Sequence, residues 1–90
     1  MISEKDKQAI AAIADKYNVK RILLFGSYAA LPEENARDID LAVEGIQAKD
    51  FFKFYGDLLF KLKKSVDLID LSSDCKFNSL VREEGIPIYG

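Results

Sequence analysis

The chain has 90 residues, enough for one domain with a single hydrophobic core. It has no histidine and one cysteine, which excludes a Ser-His-Asp triad, a Cys-His pair, an imidazole-bound zinc and an intrachain disulfide. The net charge of −2 gives no bulk electrostatic reason for direct nucleic-acid binding, and no apolar run approaches the roughly 20 residues of a membrane span. The start, MISEKDKQ, is not a signal peptide, so we expect a cytoplasmic protein.

Helix and strand patterns alternate along the first half of the chain. Residues 3–18 are predicted to form a helix that Ser3 caps. Its apolar stripe consists of Ile10, Ile13, Ala14 and Tyr17. Residues 19–25 (VKRILLF) contain an unbroken apolar run, which indicates a buried strand that ends at Gly26. Residues 38–43 (DIDLAV) indicate a second strand, because apolar residues occupy every other position.

The second half of the chain continues this alternation. Residues 48–62 are predicted to form a long helix. Its apolar face is predicted to comprise Phe51, Tyr55, Leu58, Leu59 and Leu62, with Phe60 on the opposite side. Residues 65–71 (SVDLIDL) indicate a third strand, and residues 73–84 a third helix. The inward side chains of that helix are predicted to be Phe77, Leu80 and Val81. Residues Ile86–Tyr89 indicate a short strand, which Pro87 restricts to a sheet edge.

This order of elements predicts a single α/β domain over residues 1–90. The strand–helix–strand unit over residues 38–71 predicts a parallel pair of strands joined by a right-handed crossover. The expected architecture is therefore a small mixed sheet of about four strands with helices packed on it.

The dipeptide Gly26-Ser27 follows the first buried strand directly. Glycine lets the backbone approach a bulky ligand closely, and the serine hydroxyl with adjacent backbone N–H groups favours a phosphate. By itself the dipeptide is more often an ordinary turn.

Acidic residues interrupt two of the predicted strands. Asp38 and Asp40 are two residues apart, so both carboxylates point to one face of a strand that is otherwise apolar, an arrangement that attracts a divalent cation. Asp67 lies inside the third strand, where an unpaired charge would be costly to bury. The alternatives are a solvent-facing strand for the first pair and a salt bridge for Asp67.

Together these features describe one site on adjacent strands. Three carboxylates could hold two Mg²⁺ ions about 3.5–4 Å apart beside a triphosphate anchored at Gly26-Ser27. Asp67 could then accept the proton of an attacking hydroxyl, so the chemistry would need no histidine.

The segments LLFGSYAALPEENARDIDLAVEG and SVDLIDL resemble the polymerase-β-like nucleotidyltransferase superfamily, and within it the minimal nucleotidyltransferases (MNT) of prokaryotes. The resemblance implies nucleotide binding by Gly26 and Ser27 and metal binding and catalysis by Asp38, Asp40 and Asp67. It also implies ATP as substrate, Mg²⁺ as cofactor, and a helical HEPN partner in a hetero-oligomer. In that pairing the minimal nucleotidyltransferase acts as antitoxin and transfers AMP to a tyrosine of the HEPN toxin.

The phosphate-binding motif departs from the pattern of this family. Family members usually read G-S-x-A-R-G, whereas Ala30 and Leu31 stand here in place of the Arg-Gly. Arg37, directly before Asp38, is a candidate for the missing positive charge at the nucleotide; the alternative is a solvated loop arginine.

Two other functions remain open from the sequence. The first is a binding antitoxin that neutralises its HEPN partner by contact alone, which the altered motif and Phe60 would favour. The second is nucleotidylation of a small molecule, which would require a homodimer cleft. In every case the short chain leaves little room for an acceptor site, so we expect another chain to supply it.

Overall fold

The computed structural model describes residues 3–25 and 38–90, with the side chain of Asp38 outside the described part. The elements are, in chain order, α1 (Glu4–Lys16), β1 (Arg21–Phe25), β2 (Asp38–Glu44), α2 (Ala48–Leu62), β3 (Ser65–Asp70), α3 (Lys76–Glu84) and β4 (Ile86–Tyr89). Ser3 caps α1 as predicted, because its hydroxyl accepts the Asp6 N–H at 3.2 Å. Among the described residues, no helix combines the length and the hydropathy that crossing a bilayer needs.

The four described strands form one mixed sheet in the order β3-β2-β1-β4. β1 pairs antiparallel with both β2 and β4, whereas β2 and β3 are parallel and connected through α2. The predicted mixed sheet of about four strands and its parallel pair are confirmed. β4 lies at the edge, as the proline at its second position requires.

The helices α1 and α2 cover one face of the sheet. Ile39, Leu41 and Val43 point from β2 into this core and are fully buried. The helix α2 contributes Phe54, Leu58 and Leu62, which recur every four residues and form its inner stripe. The sequence prediction for this stripe was wrong at two positions, because Phe54 is fully buried while Leu59 is 39% exposed. Phe54 is held there by an edge-to-face contact with Tyr17, whose ring centroid is 5.7 Å away.

The helix α3 covers only part of the opposite face. It packs Val81 against a small cluster formed by Leu23, Ala42 and Leu71. The expectation that Phe77 and Leu80 point inward was wrong, since they are 53% and 50% exposed. The sheet-facing stripe of α3 consists instead of three residues, two polar and one apolar. Its members are Asn78, which donates to the carbonyls of Asp70 (3.3 Å) and Ser73 (2.8 Å), Val81, and Arg82, which donates to the carbonyl of Leu71.

Candidate active site

Three strands meet at one end of the sheet. Phe25, the last residue of β1, pairs with Asp40 of β2, and Asp40 pairs with Asp67 of β3. Neighbouring strands lie about 4.8 Å apart, so the two carboxyl-bearing residues are direct neighbours across the parallel ladder. The structure thus brings together two of the three predicted catalytic aspartates, which are far apart in the sequence.

Both aspartates emerge on the face that α3 partly covers. Side chains alternate along a strand, so Asp40 shares its face with Ala42 and Asp67 shares its face with Ile69. Ala42 and Ile69 both pack in the cluster beneath α3. The carboxylates lie at the end of this face, where Asp40 is half-buried and Asp67 is exposed.

The exposure of Asp67 corrects the expectation that its charge is buried. An acidic residue inside an apolar strand was expected to lie in the interior, but β3 is an edge strand of the sheet. On the α3 face, Ser65 and Asp67 are exposed, whereas Val66 on the other face is buried. The carboxylate of Asp67 is therefore accessible to a second molecule.

The pairing of β3 with β2 is supported by a contact from α2. The Tyr55 hydroxyl donates to the carbonyl of Val66 at 2.6 Å. Val66 directly precedes Asp67, and it pairs with Ile39 just as Asp67 pairs with Asp40. Because a slip of one residue would move Asp67 to the face that α1 and α2 cover, this hydrogen bond stabilises the register that places the two carboxylates together.

The remaining predicted site residues border the described part of the chain. Asp38 begins β2, and its Cα lies opposite Ser65, two positions before Asp40. Gly26, Ser27 and Arg37 lie outside the described residues.

The donor chemistry of this end of the sheet fits Mg²⁺. Asp40 and Asp67 present carboxylate oxygens, which are the ligands that hard divalent cations prefer. Within residues 3–25 and 38–90, no three acidic or cysteine side chains are grouped as metal ligands. The expectation that Asp38 adds a third carboxylate stays a prediction, because its side chain lies outside the described part of the chain.

An aromatic pair borders the two carboxylates. Phe25, opposite Asp40, makes an edge-to-face contact with Phe77 at 6.1 Å between ring centroids. Phe77 occupies the first turn of α3 and is half-exposed, so it presents an apolar surface beside the site. No signal in the sequence indicated this placement, since helical spacing alone assigned Phe77 to the core.

The opposite end of the same face carries an ion cluster. Glu44 at the end of β2 accepts a hydrogen bond from Arg21 Nη2 at 2.8 Å. Lys20 Nζ and Arg82 Nε lie 3.7 and 3.8 Å from its carboxylate oxygens. The hydrogen bond from Arg21 is the main cause that lowers the pKa of Glu44, with Lys20 and Arg82 adding in the same direction against partial burial. This carboxylate therefore links β1, β2 and α3 and is not available as a metal ligand.

The family described as "Polymerase beta, Nucleotidyltransferase" matches residues 8–90 of the chain. The chain belongs to this nucleotidyltransferase family. Two Methanocaldococcus jannaschii proteins, MJ0128 and MJ1215, have names that propose a protein adenylyltransferase activity. They are 42% and 40% identical to this nucleotidyltransferase chain, each over 43 residues. The match covers 48% of this chain and 44% and 50% of theirs, so the chain spans about half the length of these curated relatives.

Solved toxin–antitoxin complexes contain a chain with the same fold. A mutant MntA–HpeT complex matches with a TM-score of 0.75 and 23% identity, over 93% of this chain and 72% of that one. A toxin–antitoxin with AMP-PNP matches with a TM-score of 0.72 and 25% identity, over 93% and 73%. A complex of tri-AMPylated Shewanella oneidensis HEPN toxin with MNT antitoxin matches with a TM-score of 0.72 and 25% identity, over 94% and 70%. The expected fold and the resemblance to minimal nucleotidyltransferases are confirmed.

Proposed function

We propose that this nucleotidyltransferase transfers AMP from ATP to a hydroxyl group, specifically a tyrosine, of a HEPN-type helical partner in the cytoplasm, and thereby acts as its antitoxin. The observation that carries the proposal is the pairing of Asp40 with Asp67 on an accessible sheet face beside the end of β1. Gly26 follows the last residue of β1 in the chain, and Asp38 begins β2 at this same end.

The chain's own residues divide the chemistry between them. Two Mg²⁺ ions would be held by the carboxylates of Asp38, Asp40 and Asp67. When bound, these ions would supply positive charge to the triphosphate. Ser27 and the backbone at Gly26 donate hydrogen bonds to phosphate oxygens, and Arg37 adds a positive charge. These contacts would orient the α-phosphorus toward the open side of the sheet.

The transfer is a single displacement at the α-phosphorus of ATP. The tyrosine oxygen forms a bond to that phosphorus, and the bond from phosphorus to the bridging oxygen of the pyrophosphate breaks. Asp67 accepts the phenolic proton as general base, a role that its exposed position on the edge strand permits. The products are the tyrosine–AMP ester and pyrophosphate.

The solved relatives support both the nucleotide and the acceptor. One of those complexes contains AMP-PNP, and another contains a HEPN toxin that carries AMP groups. A third is a mutant with two aspartate-to-glutamate changes spaced two residues apart, as Asp38 and Asp40 are here. The names of the Methanocaldococcus relatives propose the same type of transfer to a protein.

The direct test is label transfer from α-³²P-ATP to the protein encoded by the adjacent gene, with Mg²⁺ present. We expect Asp40→Asn and Asp67→Asn each to lower the rate by about a hundredfold or more, because each removes a metal ligand and the second also removes the general base. Asp74→Asn is the matched control, since Asp74 is an exposed carboxylate in the turn before α3. No transfer by the wild-type chain, or equal rates in the aspartate variants, would refute the enzyme function.

A binding antitoxin is the second candidate, favoured by the exposed aromatic side chains on α2. Phe52 and Phe60 are 79% and 82% exposed, which suits a contact surface for another protein. An Asp40→Asn/Asp67→Asn double variant that still neutralises the partner in cells would select this function over transfer.

A further inference from the structure

The outer side of α2 carries a ridge formed by Phe52, Gly56 and Phe60. These residues are four positions apart, so they lie along one side of the helix, opposite the buried stripe of Phe54, Leu58 and Leu62. Both phenylalanines are about four-fifths exposed, and a Cβ placed on Gly56 would meet no atom within 4 Å. The aromatic ridge is therefore two projecting rings with a hollow between them.

Nothing within the described chain accounts for the composition of this ridge. A glycine inside a helix costs about 1 kcal/mol relative to alanine, and no described neighbour of Gly56 requires its small size. Two phenyl rings left in water give up the favourable free energy of burial. A second molecule that covers the rings and approaches closely at Gly56 would account for all three residues.

Two hollows flank Phe60 and extend the aromatic ridge toward α1. One, of about 320 Å³, lies between α1 and α2 and is lined by apolar residues of α1 together with Phe60 and the charged Lys16, Asp57 and Lys61. The other, of about 450 Å³, lies beside Lys5 and Leu62. Phe60 therefore lines both depressions, and side chains of a partner could fill them.

Exposed lysines outnumber acidic residues around the aromatic ridge. Lys49, Lys53, Lys61 and Lys63 are exposed, and none forms an ion pair with a residue in the described part of the chain. Two of the nearby carboxylates are already engaged, because Asp57 binds Lys16 and Tyr17 while Asp6 binds Lys64. Asp50, in the first turn of α2, is a single acidic residue against these four lysines. This side of a chain with a net charge of −2 is thus locally positive.

We propose that the aromatic ridge docks an amphipathic helix of a partner protein, whose apolar face covers Phe52 and Phe60 and whose flanking acidic residues oppose the lysines. The charge of the surface selects this occupant over a second copy of the chain, because two copies would place lysines against lysines. This inference rests on the proposed function in one respect, namely that the partner is the HEPN-type protein.

The docking surface and the carboxylates lie on opposite sides of the sheet. Phe54 and Leu58 of α2 pack on the face that carries Ile39 and Leu41, whereas Asp40 points to the α3 face. A helix bound to the ridge therefore does not occupy the active site of the same subunit. The acceptor tyrosine reaches that site on another segment of the bound partner or on a further copy of it.

The test measures binding of the protein encoded by the adjacent gene by titration calorimetry. We expect Phe52→Ser/Phe60→Ser to weaken binding by about tenfold or more, as truncation of buried aromatic anchors does. Lys53→Glu/Lys61→Glu should weaken it as well, and this loss should shrink at high salt. Leu80→Ser is the matched control, because Leu80 is an exposed apolar residue on α3. All of these side chains are exposed, so an unchanged circular dichroism spectrum verifies the fold.

Label transfer measured in the same variants separates this proposal from the enzyme function. Tight binding that depends on the aromatic ridge but yields no AMP transfer leaves the docking proposal intact and refutes the transfer. Transfer with binding unchanged in both the phenylalanine and the lysine variants overturns the docking proposal and leaves the transfer intact. A wild-type chain that fails to bind the adjacent-gene protein overturns the docking proposal and also the assignment of that protein as the partner. Sedimentation of the isolated chain tests self-association, and a dimer that Phe52→Ser/Phe60→Ser dissociates would overturn the proposal in favour of a second copy.

Discussion

At the scale of single residues, the pairing of Asp40 with Asp67 sets two like charges side by side on neighbouring strands. Like charges opposite one another in a sheet repel, and a divalent cation bound between them would remove that repulsion. The proposed catalytic role would account for this pair, since groups placed for catalysis often lower the stability of the fold.

This conflict predicts that Asp67→Asn stabilises the metal-free protein. Removing one charge of the pair should raise the free energy of unfolding in EDTA by about 0.5 kcal/mol. Mg²⁺ should then raise the melting temperature of the wild-type chain and have a smaller effect on the variant. Thermal melts with and without Mg²⁺ measure both effects, and Asp74→Asn should behave as wild type. Destabilisation by Asp67→Asn in EDTA would contradict this account of the pair.

At the scale of elements, two glycines show how the same change has opposite effects in different places. A Cβ on Gly85, between α3 and β4, would lie 2.6 Å from the carbonyl oxygen of Val81 and 3.1 Å from Leu23 Cβ. The clash involves backbone at its closest point, so the neighbours cannot move away without displacing α3.

We therefore expect Gly85→Ala to lower the free energy of unfolding by about 1–3 kcal/mol. Gly56→Ala is the matched change in open space, and it should raise the stability of the free chain by about 1 kcal/mol. Urea unfolding followed by circular dichroism measures both. Equal effects of the two substitutions would show that the packing at Gly85 is looser than the structure indicates.

The contact between α1 and α2 predicts a dependence of stability on pH. The Tyr17 hydroxyl donates to Asp57 at 2.7 Å, and Lys16 Nζ lies 3.2 Å from the same oxygen. The hydrogen bond from Tyr17, followed by that from Lys16, lowers the pKa of Asp57 below its ordinary value of 3.8. A lowered pKa means that this stabilisation is present above about pH 4 and is lost as the pH falls through the folded-state value.

Asp57→Asn should accordingly destabilise the chain at neutral pH and have less effect near pH 3. Urea midpoints of wild type and variant between pH 7 and pH 3 measure the convergence. Because both side chains of the ion pair are substantially exposed, the difference at pH 7 should also shrink at high salt. A gap between wild type and variant that widens on acidification would contradict a lowered pKa for Asp57.

The elements themselves were largely predictable from local patterns. Apolar runs and strict alternation identified the four described strands, and the apolar residue spacing identified the three described helices. The orientation of α3 was not predictable, because it depends on Asn78 and Arg82 binding carbonyls at and after the end of β3. Those contacts turn Phe77 and Leu80 outward, and no spacing rule applied to a single helix contains them.

The candidate site was predictable in part for a similar reason. The spacing of Asp38 and Asp40 is local, so the sequence alone places them on one face of a strand. The juxtaposition of Asp40 with Asp67 depends on parallel pairing in a register that only the folded sheet defines. The exposure of Asp67 depends in addition on the position of β3 at the sheet edge, which the local pattern of apolar residues does not contain.

At the scale of the whole molecule, the sheet separates two surfaces of opposite character. Acidic groups gather at one end of the face that α3 partly covers, and exposed lysines gather on the outer side of α2. The net charge of −2 averages over this asymmetry, so composition alone gave no indication of a positive surface. The proposed reaction and the proposed partner contact would thus use separate surfaces of one small domain.

The hydrogen bond from the Tyr55 hydroxyl to the carbonyl of Val66 connects α2, which carries the lysine surface, to β3, which carries Asp67. Tyr55 belongs to the same helix as Phe52 and Phe60, and Val66 is bonded covalently to Asp67. A rotation of α2 about its axis must therefore either break this hydrogen bond or carry β3 with it. A displacement of α2 on the lysine side would therefore be transmitted to β3 one residue away from Asp67, the carboxylate that we propose as general base.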